Sequence, residues 1–351
     1  MKKGILWIIS LLLSASVGAK PFEITGQIPI LISDESETGL QQSRVVLVQN
    51  VQLSKEAQAV LSERVQEIMD TASDEASLLP TGLPAKLDLG MNKTPVLNQG
   101  VHGTCVTFAV TAALDALLAK GDYISQLCSL ELGTYLLNKK QIPYSGWDGS
   151  FGKIVLNQLD QYGIITTSHQ RSKGCAGVKL YPADNEKNQG KAMSVSEYSA
   201  NALAINDQMA WESLVDIDEV FTVNHNPAQV LQAIKKSLSE GHRLTFGVLL
   251  DVELNHAGAM GKYAKAFDSW MLTPEIIRHA KQGRVNGGHE MIITGYDDTA
   301  LIMDNFGHVS KGMLILRNSW GSNSGNRGNY YMSYDYFKAL SDEVQIIKPK
   351  V

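Results

Sequence analysis

The sequence predicts an α+β protein, and three observations predict it. An acidic segment near the start reads strand, strand, helix. A helix free of Gly and Pro follows from Thr104 to Lys120. Short apolar strands then gather toward the C-terminus, at 244–250, 287–296, 314–317 and 330–333, separated by glycine-rich turns.

The 351 residues carry 31 Lys+Arg and 36 Asp+Glu, a formal net charge of −5, with 44% hydrophobic and 19% charged residues. That balance excludes a disordered tail protein and a collagen-like fibre. It shows no basic excess, so nucleic acid is not an expected partner. Three cysteines without paired CxxC spacing exclude a disulfide framework and a structural zinc site, and no cofactor or metal is expected.

Residues 1–19 read as a signal peptide. Lys2 and Lys3 precede an apolar run, Ile5 to Leu13, and Val17 and Ala19 fit the small-x-small cleavage rule. The run is well short of the roughly 20 residues that a spanning helix needs. The chain is therefore expected to be exported, secreted or periplasmic, without a stable membrane anchor and in a compartment that tolerates disulfides.

Residues 20–83 hold 4 basic and 10 acidic residues, a net charge of −6, whereas 84–351 is nearly neutral at −1. Val45, Leu47, Val51 and Leu53 lie in a β-like stretch. Ser54 can cap a helix to about Thr71, with Ala57, Val60, Leu61, Val65 and Ile68 on one face. Leu79-Pro80-Thr81-Gly82-Leu83-Pro84 punctuates the chain and marks the domain boundary.

In the helix beginning at Thr104, Val106, Ala109, Ala113, Ala116 and Leu117 recur at helical spacing, with Gly121 as the expected stop. Cys105 then falls in the first turn, where a helix N-terminus favours a thiolate. Gly287-Gly288-His289 delivers a histidine at the start of a β-branched strand, and the strand Leu314–Arg317 ends in Asn318-Ser319-Trp320-Gly321. A thiol nucleophile needs a base, and the base needs an orienting acceptor; Cys105, His289 and Asn318 supply those roles in that order.

These three motifs resemble the papain-like cysteine peptidases. The segment Gln99 to Phe108 is similar to that family's nucleophile segment, Gly288-His289-Glu290-Met291 to its Gly-His-Ala-Val strand, and Asn318 to Gly321 matches its Asn-Ser-Trp-Gly without change. The resemblance spans roughly Leu83 to Tyr336. It implies a two-lobed fold, with a helical left lobe and a β-barrel-like right lobe, preceded by a small α/β propeptide. It implies that Cys105 attacks the peptide carbonyl, His289 protonates the leaving amine and Asn318 orients the imidazole. It further implies that Gln99 and the Cys105 N–H form the oxyanion hole and that Trp320 shields the His289–Asn318 hydrogen bond. Gly149, Ser150, Gly288 and Trp320 are the implied substrate-binding positions.

The chain departs from the family at several places. The disulfide that usually starts three residues before the nucleophile is missing at both ends, here His102 and Trp147. Val106 replaces a tryptophan, and Ser150 stands where a glycine receives substrate. From Cys105 to His289 is 184 residues, against about 130–150 expected. The excess is placed at about 179–226, a polar stretch followed by a helical pattern through Leu214, and is read as a tolerated surface excursion rather than a lid. Cys128 and Cys175 remain as a pair near a family disulfide, with Cys128 slightly early for it, and are expected to be bonded. The expected activity is an exported cysteine endopeptidase made as a zymogen. Its partners are protein or peptide substrates and its own propeptide as inhibitor, and the chain is expected to be a monomer. The alternatives are an exopeptidase or transferase of the same fold, and a catalytically silent binding protein.

Overall fold

The computed structural model describes residues 20–35, 41–71, 82–184, 191–221, 226–253, 260–261, 268–304 and 307–350. The expected signal peptide and the first half of the Leu79–Pro84 link lie outside these residues. The chain begins with an antiparallel hairpin, β1 (Phe22–Glu35) and β2 (Gln41–Leu53), followed by α1 (Lys55–Thr71). Ser54 caps α1 as its sequence position predicts, its Oγ accepting from the Ala57 N–H at 3.1 Å.

After β3 (Lys86–Asp88) comes a helical stretch: α2 (Cys105–Leu118), α3 (Gln126–Asn138), α4 (Gly152–Tyr162), α5 (Thr167–Lys173) and α6 (Val195–Ser199). Every residue of α2 from Cys105 to Ala116 is buried, which explains its apolar character on all sides. The helix stops before the expected Gly121, with Ala119 taking the left-handed conformation at the C-cap. Cys128, in the first turn of α3, is disulfide-bonded to Cys175, with Cα atoms 5.0 Å apart; Cys105 is free.

The remaining chain builds a sheet. It comprises β4 (Met209–Val215), α7 (Pro227–Ser239), β5 (Arg243–Leu250), β6 (Met260–Gly261), β7 (Ser269–Trp270) and α8 (Pro274–Lys281). The chain continues through β8 (Gly287–Met303), β9 (Val309–Arg317), β10 (Asn329–Ser333), α9 (Tyr334–Leu340) and β11 (Ser341–Pro349). Among the described residues the sheet has eleven strands, ordered β4-β11-β5-β8-β9-β10-β7, with β2, β3 and β6 also pairing to β8. Strand β8 is the hub. Its first residues pair with β5 on one side and with β2 on the other, and it passes to β9 from Ile292 onward.

Two expectations for the 179–226 stretch are corrected. The helical pattern through Leu214 is a strand in its last part: β4 runs antiparallel to β11 and covers what would be an open edge. Sheet pairing overrides a weak local helical pattern here. The stretch is also not a loose excursion, because Ile205, Met209, Val215, Ile217, Val220 and Phe221 are all buried. At the start of the chain, Val46, Val48, Val51, Leu61 and Val65 share one core with Phe246, Val248 and Leu250. Each such side chain contributes about 1.5–3 kcal/mol when fully buried, so the N-terminal module is packed firmly onto the sheet.

Candidate active site

The candidate site lies where the N-terminus of α2 meets the start of β8 and the end of β9. Cys105 is the first residue of α2. His289 is the third residue of β8, paired in register with Val248 of β5. Asn318 follows the last residue of β9, its N–H bonded to the Gly328 carbonyl at 3.0 Å. All three are buried.

One hydrogen bond defines the state of the imidazole. His289 Nε2 lies 2.9 Å from Asn318 Oδ1, which also accepts from the Ser319 N–H at 2.7 Å. A carboxamide oxygen only accepts, so Nε2 carries the proton and donates. Nδ1 is left as a bare base, buried and without a hydrogen-bond partner. The Trp320 indole covers the ring, its centroid 4.6 Å away and its plane tilted by 25°. That is the shielding position the resemblance implies.

Gln99 is held from the Asn318 side. Its backbone N–H donates to the Ser319 carbonyl at 2.8 Å, and its Oε1 accepts from Ser319 Oγ at 2.7 Å. Its Nε2 donates to the His102 carbonyl at 2.8 Å, which leaves a second N–H on that nitrogen. His102 and Trp147, the two ends of the missing family disulfide, touch each other: their rings meet edge to face at 5.1 Å. An aromatic contact therefore occupies the place of the bond.

The sequence did not disclose what covers the thiol. Gln49 of β2 is buried, and its Nε2 lies 3.9 Å from Cys105 Sγ and donates to the Ser150 carbonyl at 3.0 Å. Gln49 pairs with Gly288 in the β2–β8 ladder. Gly149 admits the side chain: it has φ +117°, and a Cβ there would sit 2.9 Å from Gln49 Cγ. Three of the four implied substrate-binding positions, Gly149, Ser150 and Gly288, thus face Gln49, while Trp320 lies on His289. The Arg44 guanidinium, also from β2, donates to the Trp320 carbonyl.

Burial of the site works against the expected electrostatics. A helix N-terminus favours the thiolate by about 2 kcal/mol at most. Burial pushes the Cys105 thiol up to about 12, helped by the nearby Glu290 carboxyl and opposed by the Glu290 N–H and the Gln49 amide. Burial also lowers His289 to about 4, against the opposing hydrogen bond to Asn318. Both shifts favour the neutral forms, against the thiolate expected from the helix start.

A second feature missed in the sequence is an acidic cluster beside His289. Glu290, Asp342 and Glu343 are buried together. Glu343 accepts from the Gly152 N–H at 2.7 Å and from Gln345 Nε2 at 2.9 Å. Glu290 Oε1 and Asp342 Oδ1 have no hydrogen-bond partner. Burial raises Glu343 to about 7, and burial with mutual repulsion raises Glu290 and Asp342 well above the usual carboxylate range. The signal was present in Gly288-His289-Glu290, where the family pattern has alanine. Among the described residues no group of three or more side chains is arranged to hold a metal ion, and no helix is long and apolar enough to cross a membrane.

No protein-family model and no curated protein matches the chain. Several solved structures are similar. Xylellain, a cysteine protease from Xylella fastidiosa, is 19% identical over 79% of this chain and 90% of that one, with a TM-score of 0.48. Digestive procathepsin L 3 of the Tenebrio molitor larval midgut is 15% identical over 84% and 91%, with a TM-score of 0.44. Procathepsin B S9 from Trypanosoma congolense is 12% identical over 78% and 80%, with a TM-score of 0.46. At such identities the activity is argued from the site's own geometry.

The acidic cluster makes a testable statement about stability. A carboxyl whose pKa is raised on folding stabilises the fold while protonated, and that stability is lost as pH rises above the unfolded value of about 4.3. For Glu343 the loss runs from there to about 7. The melting temperature should therefore fall between pH 5 and pH 8. Glu290→Gln, which removes one of the repelling carboxyls, should shrink that fall by about 2–4 °C. An unchanged fall would show that the cluster is not held protonated.

Proposed function

We propose that the chain is an exported cysteine endopeptidase, made as a zymogen, that hydrolyses peptide bonds through Cys105, His289 and Asn318. The observation that carries this reading is the Nε2–H to Asn318 hydrogen bond, which leaves Nδ1 bare, buried and without a partner. Once ionised, Cys105 Sγ attacks the substrate carbonyl carbon, and His289 holds the proton on Nδ1. The carbonyl oxygen, now negative, is met by the free N–H of Gln99 Nε2 and the Cys105 backbone N–H. Collapse expels the amine, which takes the proton from His289 and leaves a thioester. Water, deprotonated by His289, hydrolyses the thioester and regenerates the thiol.

On this reading residues 1–19 are the signal peptide and 20–83 the inhibitory propeptide. Support comes from the Gln49 carboxamide over Cys105 and from β2 pairing along β8. Further support comes from α1, which docks on the main domain through Gln58 Nε2 to the Ala280 carbonyl at 2.6 Å and Arg64 Nη1 to the Ser341 carbonyl at 3.2 Å. The group placed against the sulfur is an amide nitrogen, which is not an electrophile, so the cover is suited to block the nucleophile without being cut at that point.

Cys105→Ala should abolish peptide hydrolysis and leave the melting temperature unchanged. Retention of a tenth of wild-type turnover would refute the assignment of the nucleophile, while products cut only at chain ends would favour the exopeptidase alternative.

Adding the isolated 20–83 fragment to the active form should inhibit it, and Gln49→Ala in that fragment should weaken inhibition by about tenfold, the scale of one buried hydrogen-bonding group. A fragment that neither inhibits nor is released from the precursor would make residues 20–83 a permanent domain.

A further inference from the structure

We infer that Tyr181 is a positioning residue whose single hydroxyl sets both donors of the oxyanion hole; this rests on the hydrolase reading above and goes beyond it. The Tyr181 hydroxyl donates to the Gln99 backbone carbonyl at 2.8 Å. Having spent its one proton there, it accepts from Thr104 Oγ1 at 2.9 Å. Gln99 carries one proposed donor on its side chain. The Thr104–Cys105 peptide carries the other, the Cys105 N–H. One oxygen atom thus ties together the two residues whose relative placement decides whether two N–H groups converge on a single point.

The local structure makes this tie necessary. Thr104 is the N-cap residue of α2, yet its side chain makes no cap hydrogen bond; its hydroxyl meets that of Tyr181. The loop from Gln99 to Thr104 has no regular secondary structure to fix it. It is instead pressed from behind by the strap that carries Tyr181. The Val101 N–H donates to the Ala183 carbonyl at 2.9 Å, and His102 Nε2 lies 2.8 Å from the Pro182 carbonyl. Gly100, at φ +61°, lets the strap approach: a Cβ there would lie 1.9 Å from the Ala183 oxygen.

The ring of Tyr181 is anchored independently of its hydroxyl. It stacks on Trp147 with planes within 1° and centroids 5.8 Å apart, and meets Phe108 edge to face at 5.0 Å. Ring and hydroxyl can therefore be separated by experiment, since Tyr181→Phe keeps the stack and deletes the tie.

The discriminating probes are a peptide aldehyde, which forms an oxyanion on binding the thiol, and iodoacetamide, which alkylates the thiol without one. Wild type and Tyr181→Phe are assayed in the form in which the wild type turns over peptide. Tyr181→Phe should lower kcat about tenfold to a hundredfold, less than the loss of a whole donor, with KM within twofold. Aldehyde affinity should fall by a similar factor, while the iodoacetamide rate and its pH profile stay unchanged. If kcat and aldehyde affinity hold within twofold, or if alkylation falls along with them, the inference is wrong and Tyr181 is a packing residue only. Should Tyr181→Phe fail to fold, Thr104→Val cuts the same tie from the other side and must show the same selective loss. An inactive wild type would defeat the hydrolase reading itself, and this inference with it; an active wild type with an unaffected variant defeats this inference alone.

Discussion

The hydrogen bond from His289 Nε2 to Asn318 Oδ1 is the interaction on which the site depends. Oδ1 is pinned by the Ser319 N–H, so the acceptor faces the ring and the tautomer follows. Because the ring is buried under Trp320, water cannot offer Nε2 an alternative partner. The same turn that presents Asn318 also presents Ser319, whose hydroxyl and carbonyl hold Gln99. One short segment at the end of β9 therefore orients the proposed base and one proposed oxyanion donor together.

Strand β8 connects that segment to everything else. It carries His289 two residues in, with β5 on one edge and β2 on the other, and only later does β9 take over the second edge. The first residues of β8 thus present a backbone edge beside the thiol, and β2 occupies it. The seating of Gln49 is a consequence of that pairing: its register opposite Gly288 points the carboxamide at Cys105 and Ser150. Burial of the site favours the neutral thiol and imidazole, against the pull of the helix N-terminus.

The candidate site was legible in the sequence because each of its members sits in a compact local pattern. Cys105 opens a buried helix, His289 follows paired glycines, and Asn318 ends a strand. Helix α1 was equally legible, since Ser54 and the apolar face of Ala57, Leu61, Val65 and Ile68 are local signals. Contacts made over long sequence distances were not. Gln49 meets Cys105 across 56 positions, and nothing around Gln49 in the chain distinguishes it from a solvent-facing strand residue. Strand β4 was misread because Met209–Val215 has no strict alternation; its partner β11, far along the chain, makes it a strand. His102 and Trp147 were identified as the ends of an absent bond, but their direct ring contact, with Tyr181 stacked behind, follows only from the fold.

If the N-terminal module holds the thiol and imidazole neutral, the proposed ion pair forms only after the module leaves. Nitrogen NMR of His289 at pH 7 reads this directly, by comparing the chain from Lys20 with the form lacking residues 20–83. The expected result is a neutral ring protonated at Nε2 in the first and an imidazolium protonated at both nitrogens in the second. An imidazolium already present in the chain from Lys20 would contradict the account.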